Sequence, residues 1–441
     1  MTKHNITKQS ITAQTTVTRL SHDGRGIAQI NGKKTFIENA LPGETVTFTY
    51  TKRHGRYDEG KATEIHIASP DRVEPLCQHF TICGGCALQH MSSNAQLELK
   101  QQMLLEQLQH FGGVQPKEIL PPITANHWGY RRKARLGVKY VNKKETVLVG
   151  FREKNGRYLA DLTHCEVLHP KVGNLIEPLK QLIKGLKAYQ QIPQIEVAIG
   201  DDATALIFRH MEPLINEDLQ QLINFAQQHQ FDLYLQPGKP ETIHIIWPPE
   251  KVQRLHYQLP AYQIEYSFHP TDFTQVNYEI NQQMVARALE LLQPHNTDQI
   301  LDLFCGLGNF TLPIAKQAAA VVGIEGSNEM VERATKNAAN NNITNIQFYA
   351  ANLTESLTSA SWMQKSYDKI LLDPPRTGAL EIIKQLPALN AKRIVYISCN
   401  PSTLARDAGE LITQGYKLLK AGIMDMFPHT HHVEAIALFE K

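Results

Sequence analysis

Cysteine is scarce in this chain, with six in 441 residues. That excludes the disulfide-dense scaffold of small secreted proteins and makes any clustering of the six informative. Long hydrophobic runs are missing as well: no stretch of about 18 uncharged apolar residues occurs, which argues against a spanning helix and a membrane partner. The opening "MTKHNITKQSITAQTT" has no apolar run behind its lysines, and a cytoplasmic protein is the expectation. No internal repeat, low-complexity tract or coiled-coil pattern is visible, so a monomer is expected. Net charge is low, +2, and 42% hydrophobic against 20% charged residues is an ordinary globular balance. At this length one hydrophobic core is too few, and two or three domains are expected.

Three of the six cysteines lie together in "CQHFTICGGC" (77–86). In a reducing compartment clustered thiols point to metal binding or catalysis before disulfides. Charge is distributed unevenly too. Residues 1–70 hold ten Lys and Arg against six Asp and Glu, whereas 273–441 hold fourteen against sixteen. The stretch "WGYRRKARLGVKYVNKK" (128–144) carries Arg131, Arg132, Lys133, Arg135, Lys139, Lys143 and Lys144 with no acid and with interleaved aromatics. Phosphate binding is one reading of it, and a solvated basic strand face is the other.

The first seventy residues read as a small β-barrel, with alternating runs such as "TTVTRL", "GIAQI", "KTFIE" and "ETVTFTYTKR" split by turn residues. Asn31-Gly32 suits a tight hairpin, and "KRHGR" (52–56) would form a basic loop. Strands at this spacing fit an OB-like barrel, and the stretch resembles the TRAM domain, an RNA-binding barrel found on RNA-modifying enzymes. After the cysteines a helical pattern runs from 93 to 111 and closes on Gly112-Gly113. The middle, to about 270, mixes strands and helices. Beyond it strand and helix alternate, which predicts a parallel, doubly wound α/β sheet of Rossmann-like form.

Inside that sheet "LDLFCGLGNF" (301–310) puts Gly306 and Gly308 in a strand-to-helix turn, where a ligand can approach the backbone. Glu325 ends the next strand, placed to take ribose hydroxyls; Asn352 follows the third strand and Asp373 the fourth. A dinucleotide fold is the rival, but the turn lacks a third glycine, and Asp302 stands on the strand leading in. This combination resembles the first motif of S-adenosylmethionine-dependent methyltransferases.

In "VYISCNPSTLARD" (395–407) Asn400 is a good N-cap and Pro401 a good first helical residue. Cys399 is therefore expected at a strand's end beside a helix N-terminus, whose positive end would lower the thiol pKa. A buried inert thiol is the alternative, and Cys305 keeps that reading. Thiolate beside a methyl donor has a chemical purpose. Carbon 5 of uracil attacks a sulfonium methyl only after thiolate addition at carbon 6 turns the ring into an enolate. The hydrogen left on carbon 5 then needs a general base. Glu434, opening the final strand "VEAIALFE", can supply it; a solvated edge carboxylate is the other possibility. His429, His431 and His432 beside it have no cysteine partner that would make a metal site.

"DLFCGLGNF", "LLDPPRTG", "YISCNPSTLARD", "HTHHVE" and "SFHPTDFTQVN" (267–277), in this order, resemble the uracil-C5 RNA methyltransferase family. The resemblance implies Cys399 as nucleophile, Glu434 as base, and Gln275, Phe304, Asn309, Glu325, Asn352 and Asp373 around S-adenosylmethionine. It places Phe273 and Gln275 near a flipped base; on the phosphate-binding reading of the basic stretch, Arg131, Arg132 and Lys133 are the residues on the RNA. One departure is Pro375 in "DPPR", where many members have alanine. The extra proline brings in an amino-group methyltransferase as a rival, but Arg376 and Cys399 fit that chemistry poorly. The other rival is an RNA-binding redox sensor.

A cluster or a zinc ion takes four ligands, and Cys77, Cys83 and Cys86 supply three. With Cys305 and Cys399 set aside, Cys165 is the remaining thiol. Residues alone leave zinc and iron-sulfur open. The resemblance implies a [4Fe-4S] cluster, which the family's ribosomal RNA branch carries, together with 23S ribosomal RNA as partner. It also implies "RYLADLTHC" close to "CGGC", with the basic stretch 128–144 beside them. The expected division is 1–70 TRAM, 71–270 a central α+β iron-sulfur and RNA-binding domain, and 271–441 catalytic, with helix 93–111 packing on the last.

Overall fold

The computed structural model describes residues 11–441 except 155, 253, 356 and 358. Its chain divides into two compact units, 1–80 with 85–99 and 429–431, and 81–84 with 100–428 and 432–441. No helix among the described residues is long and apolar enough to cross a membrane.

In the first unit Asn31 and Gly32 both take positive φ, 50° and 77°. That is the two-residue turn whose twist matches a right-handed hairpin. It pairs Gly26–Ile30 antiparallel with Lys33–Glu38, Ile30 facing Lys33. Six strands form the sheet, in the order Thr12–Thr16, Thr45–Arg53, Tyr57–Ile67, Lys33–Glu38, Gly26–Ile30, Arg19–Leu20. Alternate residues such as Ala28, Ile37, Val46 and Phe48 point into its core. Arg72 binds the buried Glu44 at 2.5 Å. The small β-domain expected from the alternating runs is therefore present as a six-stranded sheet.

The second unit holds two large sheets. One has six strands in the order His244–Trp247, Asp232–Gln236, Thr204–Arg209, Gln194–Ile199, Lys133–Val141, Thr146–Gly150. The hairpin Leu255–Leu259 with Ile264–Phe268 follows it. The other sheet runs Ile346–Ala350, Ala320–Glu325, Gln299–Leu303, Lys369–Leu372, Arg393–Ser398, Glu434–Glu440, Lys417–Met424. Its first five strands are parallel, and Glu434–Glu440 runs antiparallel between its two neighbours. The chain starts at Gln299–Leu303 and winds first one way and then the other, so the strand-order switch lies at that strand's carboxyl end, where such sheets bind ligands. An eighth strand, only Glu118–Ile119, pairs parallel with Lys417–Met424. This eight-stranded sheet thus draws an edge from well before residue 271.

The expected helix spans Ser93–Gly112. From Lys100 onward it docks on residues between 402 and 427. Gln107 accepts from Ser402 Oγ at 2.8 Å, and the buried Lys100 ammonium meets Asp425 at 2.6 Å and donates to Phe427 O at 3.0 Å. Lys100→Met would leave Asp425 charged and alone in the interior, at an expected cost of about 3–5 kcal/mol. Urea unfolding should show this as a lower midpoint; an unchanged midpoint would mean that the pair is dispensable.

Candidate active site

The register of the last strand decides what the site contains. Ser398 pairs with Ala435 across the Arg393–Ser398 and Glu434–Glu440 ladder. The next residue on each side, Cys399 and Glu434, therefore emerge together at the rim, where opposed residues lie about 5 Å apart. Asp373, just beyond Lys369–Leu372, and Arg376 complete the group. Each of the two carboxylates raises the Cys399 pKa, and Arg376 lowers it.

Cys399 does precede a capped helix. Asn400 Oδ1 accepts the Ser402 N–H at 3.2 Å ahead of Pro401–Thr413. The lowered thiol pKa expected from that helix is nevertheless not what the structure gives. Burial, with Glu434 and Asp373 beside the sulfur, pushes Cys399 up to about 11. Desolvation and two like charges outweigh one helix terminus. The same burial holds Glu434 well above the usual carboxylate range and pushes Asp373 up to about 7. If Cys399 reacts as thiolate and Glu434 as carboxylate, both raised pKa values make the active fraction grow with pH. kcat/KM is expected to climb from neutrality toward alkaline pH by up to about tenfold per unit. A flat profile would contradict this picture.

The loop carrying Asp373 and Arg376 is braced from behind. Arg376 O accepts from Asn400 Nδ2 (3.0 Å) and Thr403 Oγ1 (3.3 Å). The buried Asp407 accepts from Ala379 N–H (2.7 Å) and Tyr396 O–H (2.6 Å).

Across the switch point Phe304 takes φ 65°, a conformation rarely adopted by bulky side chains, and Gly306 and Gly308 take 55° and 88°. A Cβ on Gly308 would meet Leu312 Cδ1 at 2.5 Å. Glu325 accepts from Gly306 N–H at 3.1 Å and from Gly326 N–H at 2.7 Å. The carboxylate and the glycine turn thus share one mouth. Beneath them Asp302 is fully buried and accepts from Thr311 Oγ1 at 2.5 Å. Its other oxygen has no partner among the described residues, and burial pushes it up to about 8. Asn352 spends its side chain locally, on Thr354 and Glu355.

Gln275 lines a small open cleft with Arg132, Ile199, Tyr257, Phe268, Thr274, Tyr278 and Asn281. Asn309 exchanges two amide hydrogen bonds with Asn281, at 3.1 and 2.9 Å, and accepts from Tyr257 O–H at 3.1 Å. Sequence reading missed Tyr257 and Asn281. Asn281 stands one helical turn beyond the N-cap Asn277 and faces the glycine turn, a periodicity signal that was available. Phe273 is 70% exposed beside this cleft's Thr274 and Gln275.

The basic stretch is less open than its composition implies. Arg132 is bound to Asp201 at 2.5 Å and lies 4.1 Å over the Tyr278 ring. Arg131 Nε donates to Lys133 O at 3.0 Å. The Lys133 ammonium is buried without a hydrogen-bond partner among the described residues, and desolvation lowers its pKa to about 8. It faces Asp272 and Glu196 rather than a surface phosphate. Cys83 forms a backbone bridge with Glu153, Gly84 N–H donates to Arg152 O, and Cys165 N–H donates to Gly173 O. "CGGC" thus starts against 152–154, just ahead of the "RYLADLTHC" expected there. Cys77 N–H donates to Gln89 Oε1 at 3.1 Å.

A parallel sheet with its glycine turn, ribose-type carboxylate and strand-end acids at one switch point defines an S-adenosylmethionine-dependent methyltransferase. The chain belongs to the tRNA (Uracil-5-)-methyltransferase family, whose model matches residues 92–441, and residues 12–63 match the TRAM domain. It is 57% identical over 422 residues to the 23S rRNA (uracil(1939)-C(5))-methyltransferase RlmD of Alcanivorax borkumensis, covering 96% of this chain and 95% of that one. The Hahella chejuensis protein of the same name is 52% identical over 444 residues, covering 100% and 99%. Among solved structures, the Pyrococcus abyssi tRNA (uracil-54, C5)-methyltransferase in complex with S-adenosyl-L-homocysteine shares the fold. Its TM-score is 0.73 at 24% identity, over 97% of this chain and 100% of that one. The amino-group and redox-sensor readings give way to family membership.

Proposed function

We propose that this protein methylates carbon 5 of a uridine in 23S ribosomal RNA, the one corresponding to position 1939 in the names of its relatives. The observation that carries the mechanism is the placement of Cys399 beside Glu434 at the rim of the donor sheet. The Cys399 sulfur forms a bond to carbon 6, and the ring electrons move to oxygen 4 as an enolate. S-adenosylmethionine, when bound, would supply an electrophilic methyl group to the carbon 5 enolate, its S–CH3 bond breaking to leave S-adenosylhomocysteine. Glu434 then takes the carbon 5 proton, and the S–C6 bond breaks to release the thiolate.

In this reading Gln275, Phe304, Asn309, Glu325, Asn352 and Asp373 hold the donor. The unpartnered Asp302 oxygen and the open backbone at Gly306 support a ligand there. Phe273 offers its ring to the RNA, Arg131 and Arg132 stand beside it, and Lys133 supports them from the interior. The division at 70 and 270 belongs to the same proposal, as do action in the cytoplasm and a monomeric state. Mapping 5-methyluridine in ribosomal RNA with and without the gene tests the assignment. One site should lose its methyl group, and an unaltered map would overturn it.

The proposal includes a [4Fe-4S] cluster on Cys77, Cys83, Cys86 and Cys165. With Cys399 and the buried Cys305 set aside, four thiols match its ligand count, and thiolates suit its irons. Among the described residues no group of three or more His, Cys, Asp or Glu side chains is arranged to hold a metal ion. The cluster therefore rests on thiol count and family likeness, and no catalytic step passes through it. Protein purified without oxygen should carry about four irons and four sulfides per chain, and Cys86→Ser should lose them. Stoichiometric zinc without iron would overturn the cluster.

A further inference from the structure

The helix Asn328–Asn340 has asparagine at position 337 in its interior and at 340 and 341 at its end. Asparagine weakens a helix interior because its amide competes for backbone partners. Here the amides are used on a strand. Asn341 accepts the Glu265 N–H at 2.9 Å and donates to Glu265 O at 2.7 Å. Asn337 accepts the Ser267 N–H at 2.9 Å and donates to Ser267 O at 3.3 Å. Four residues of helix advance about 6 Å and two residues of strand about 6.8 Å, so the repeat matches. The side chains stand where a neighbouring strand's peptide groups would.

The series continues toward the site. Arg333, one turn before Asn337, binds Asp272 at 2.6 Å. Asp272 closes its own turn, accepting from His269 N–H at 2.7 Å and donating its N–H to His269 O at 2.8 Å. Phe273 and Gln275 follow immediately. Asn337 Nδ2 also reaches Leu307 O, inside the glycine turn, at 3.5 Å, and Tyr266 O–H donates to Gly308 O at 3.2 Å. Asn337 is 1% exposed, so water does not compete for these bonds.

We propose that Asn337 and Arg333 are positioning residues that fix the Phe273–Gln275 loop relative to the glycine turn, so that donor binding and RNA binding reinforce each other. This deepens the proposed function and rests on Gln275 and Phe273 facing donor and RNA. The test measures the dissociation constant of S-adenosylhomocysteine with and without an RNA fragment carrying the target uridine, well below each variant's unfolding temperature. In the unsubstituted protein each ligand should tighten the other by one common factor, since coupling is reciprocal. Asn337→Ala and Arg333→Met should bring that factor toward one and weaken donor binding by roughly tenfold, the scale of one lost sheltered hydrogen bond. Arg333→Lys, which keeps a cation for Asp272, should restore most of the coupling. A merely structural role would lower the unfolding temperature and leave the factor alone, and that result overturns the proposal, as does an unsubstituted protein without coupling. If Asn337→Ala does not fold, the Arg333 pair decides. Should the unsubstituted protein fail to methylate the RNA at all, the proposed function falls instead.

Discussion

Cys399→Ala is expected to abolish turnover together with any covalent RNA adduct, with kcat falling on the order of 10⁴-fold or more. The reason lies in the substrate, since carbon 5 of a uracil ring is nucleophilic toward a sulfonium methyl only while something is bonded at carbon 6. An alanine offers no such bond, and no other cysteine shares the site's rim. Cys305 lies inside the fold with its thiol pKa pushed far up by burial beside Asp302 and Glu325. Donor binding should survive, because Glu325 and the glycine turn are held by bonds that do not involve Cys399. Single-turnover methylation and a denaturing gel for adducts measure both effects. Residual activity within tenfold of the unsubstituted protein would contradict the assignment.

Glu434→Gln should act at the opposite end of the reaction. The amide keeps the shape and removes a carboxylate that raises the Cys399 pKa, so thiolate addition and methyl transfer proceed. The carbon 5 proton then has no acceptor, and release slows by roughly 10²–10⁴-fold, the usual worth of a positioned base. The protein should accumulate as a covalent complex with RNA that is already methylated. Turnover within a few-fold of normal would remove Glu434 from that role. Arg376 is the cation that draws both Cys399 and Glu434 toward their charged forms, which ties the "DPPR" loop to the chemistry.

Much of this was legible in the residues because the relevant signals are local. Asn31-Gly32 specifies a turn by its own φ preferences, and Asn400-Pro401 specifies a helix start. Polar residues after successive strands mark the carboxyl ends of the parallel strands. Signals that depend on distant partners were not legible. The helix start alone predicts a low Cys399 pKa, and it is high, because the sulfur is buried and because Glu434 and Asp373 arrive from other strands. Lys133 looks like part of a basic face, but its ammonium is buried facing Asp272 and Glu196, and its strand alternation alone does not announce that. A two-residue edge strand at Glu118–Ile119 carries too little pattern to be read. The asparagines of helix 328–340 are unfavourable locally, and their purpose shows only against residues 265 and 267.

The most direct measurement replaces the target uridine with its 5-fluoro analogue in the RNA fragment and adds S-adenosylmethionine. Fluorine cannot leave as a proton does, so the last step is blocked and the methylated ring should stay bonded to the protein. Peptide mass spectrometry should then find the nucleotide on Cys399. Full methyl consumption without a bonded peptide, or the nucleotide on another residue, would contradict covalent catalysis at this sulfur.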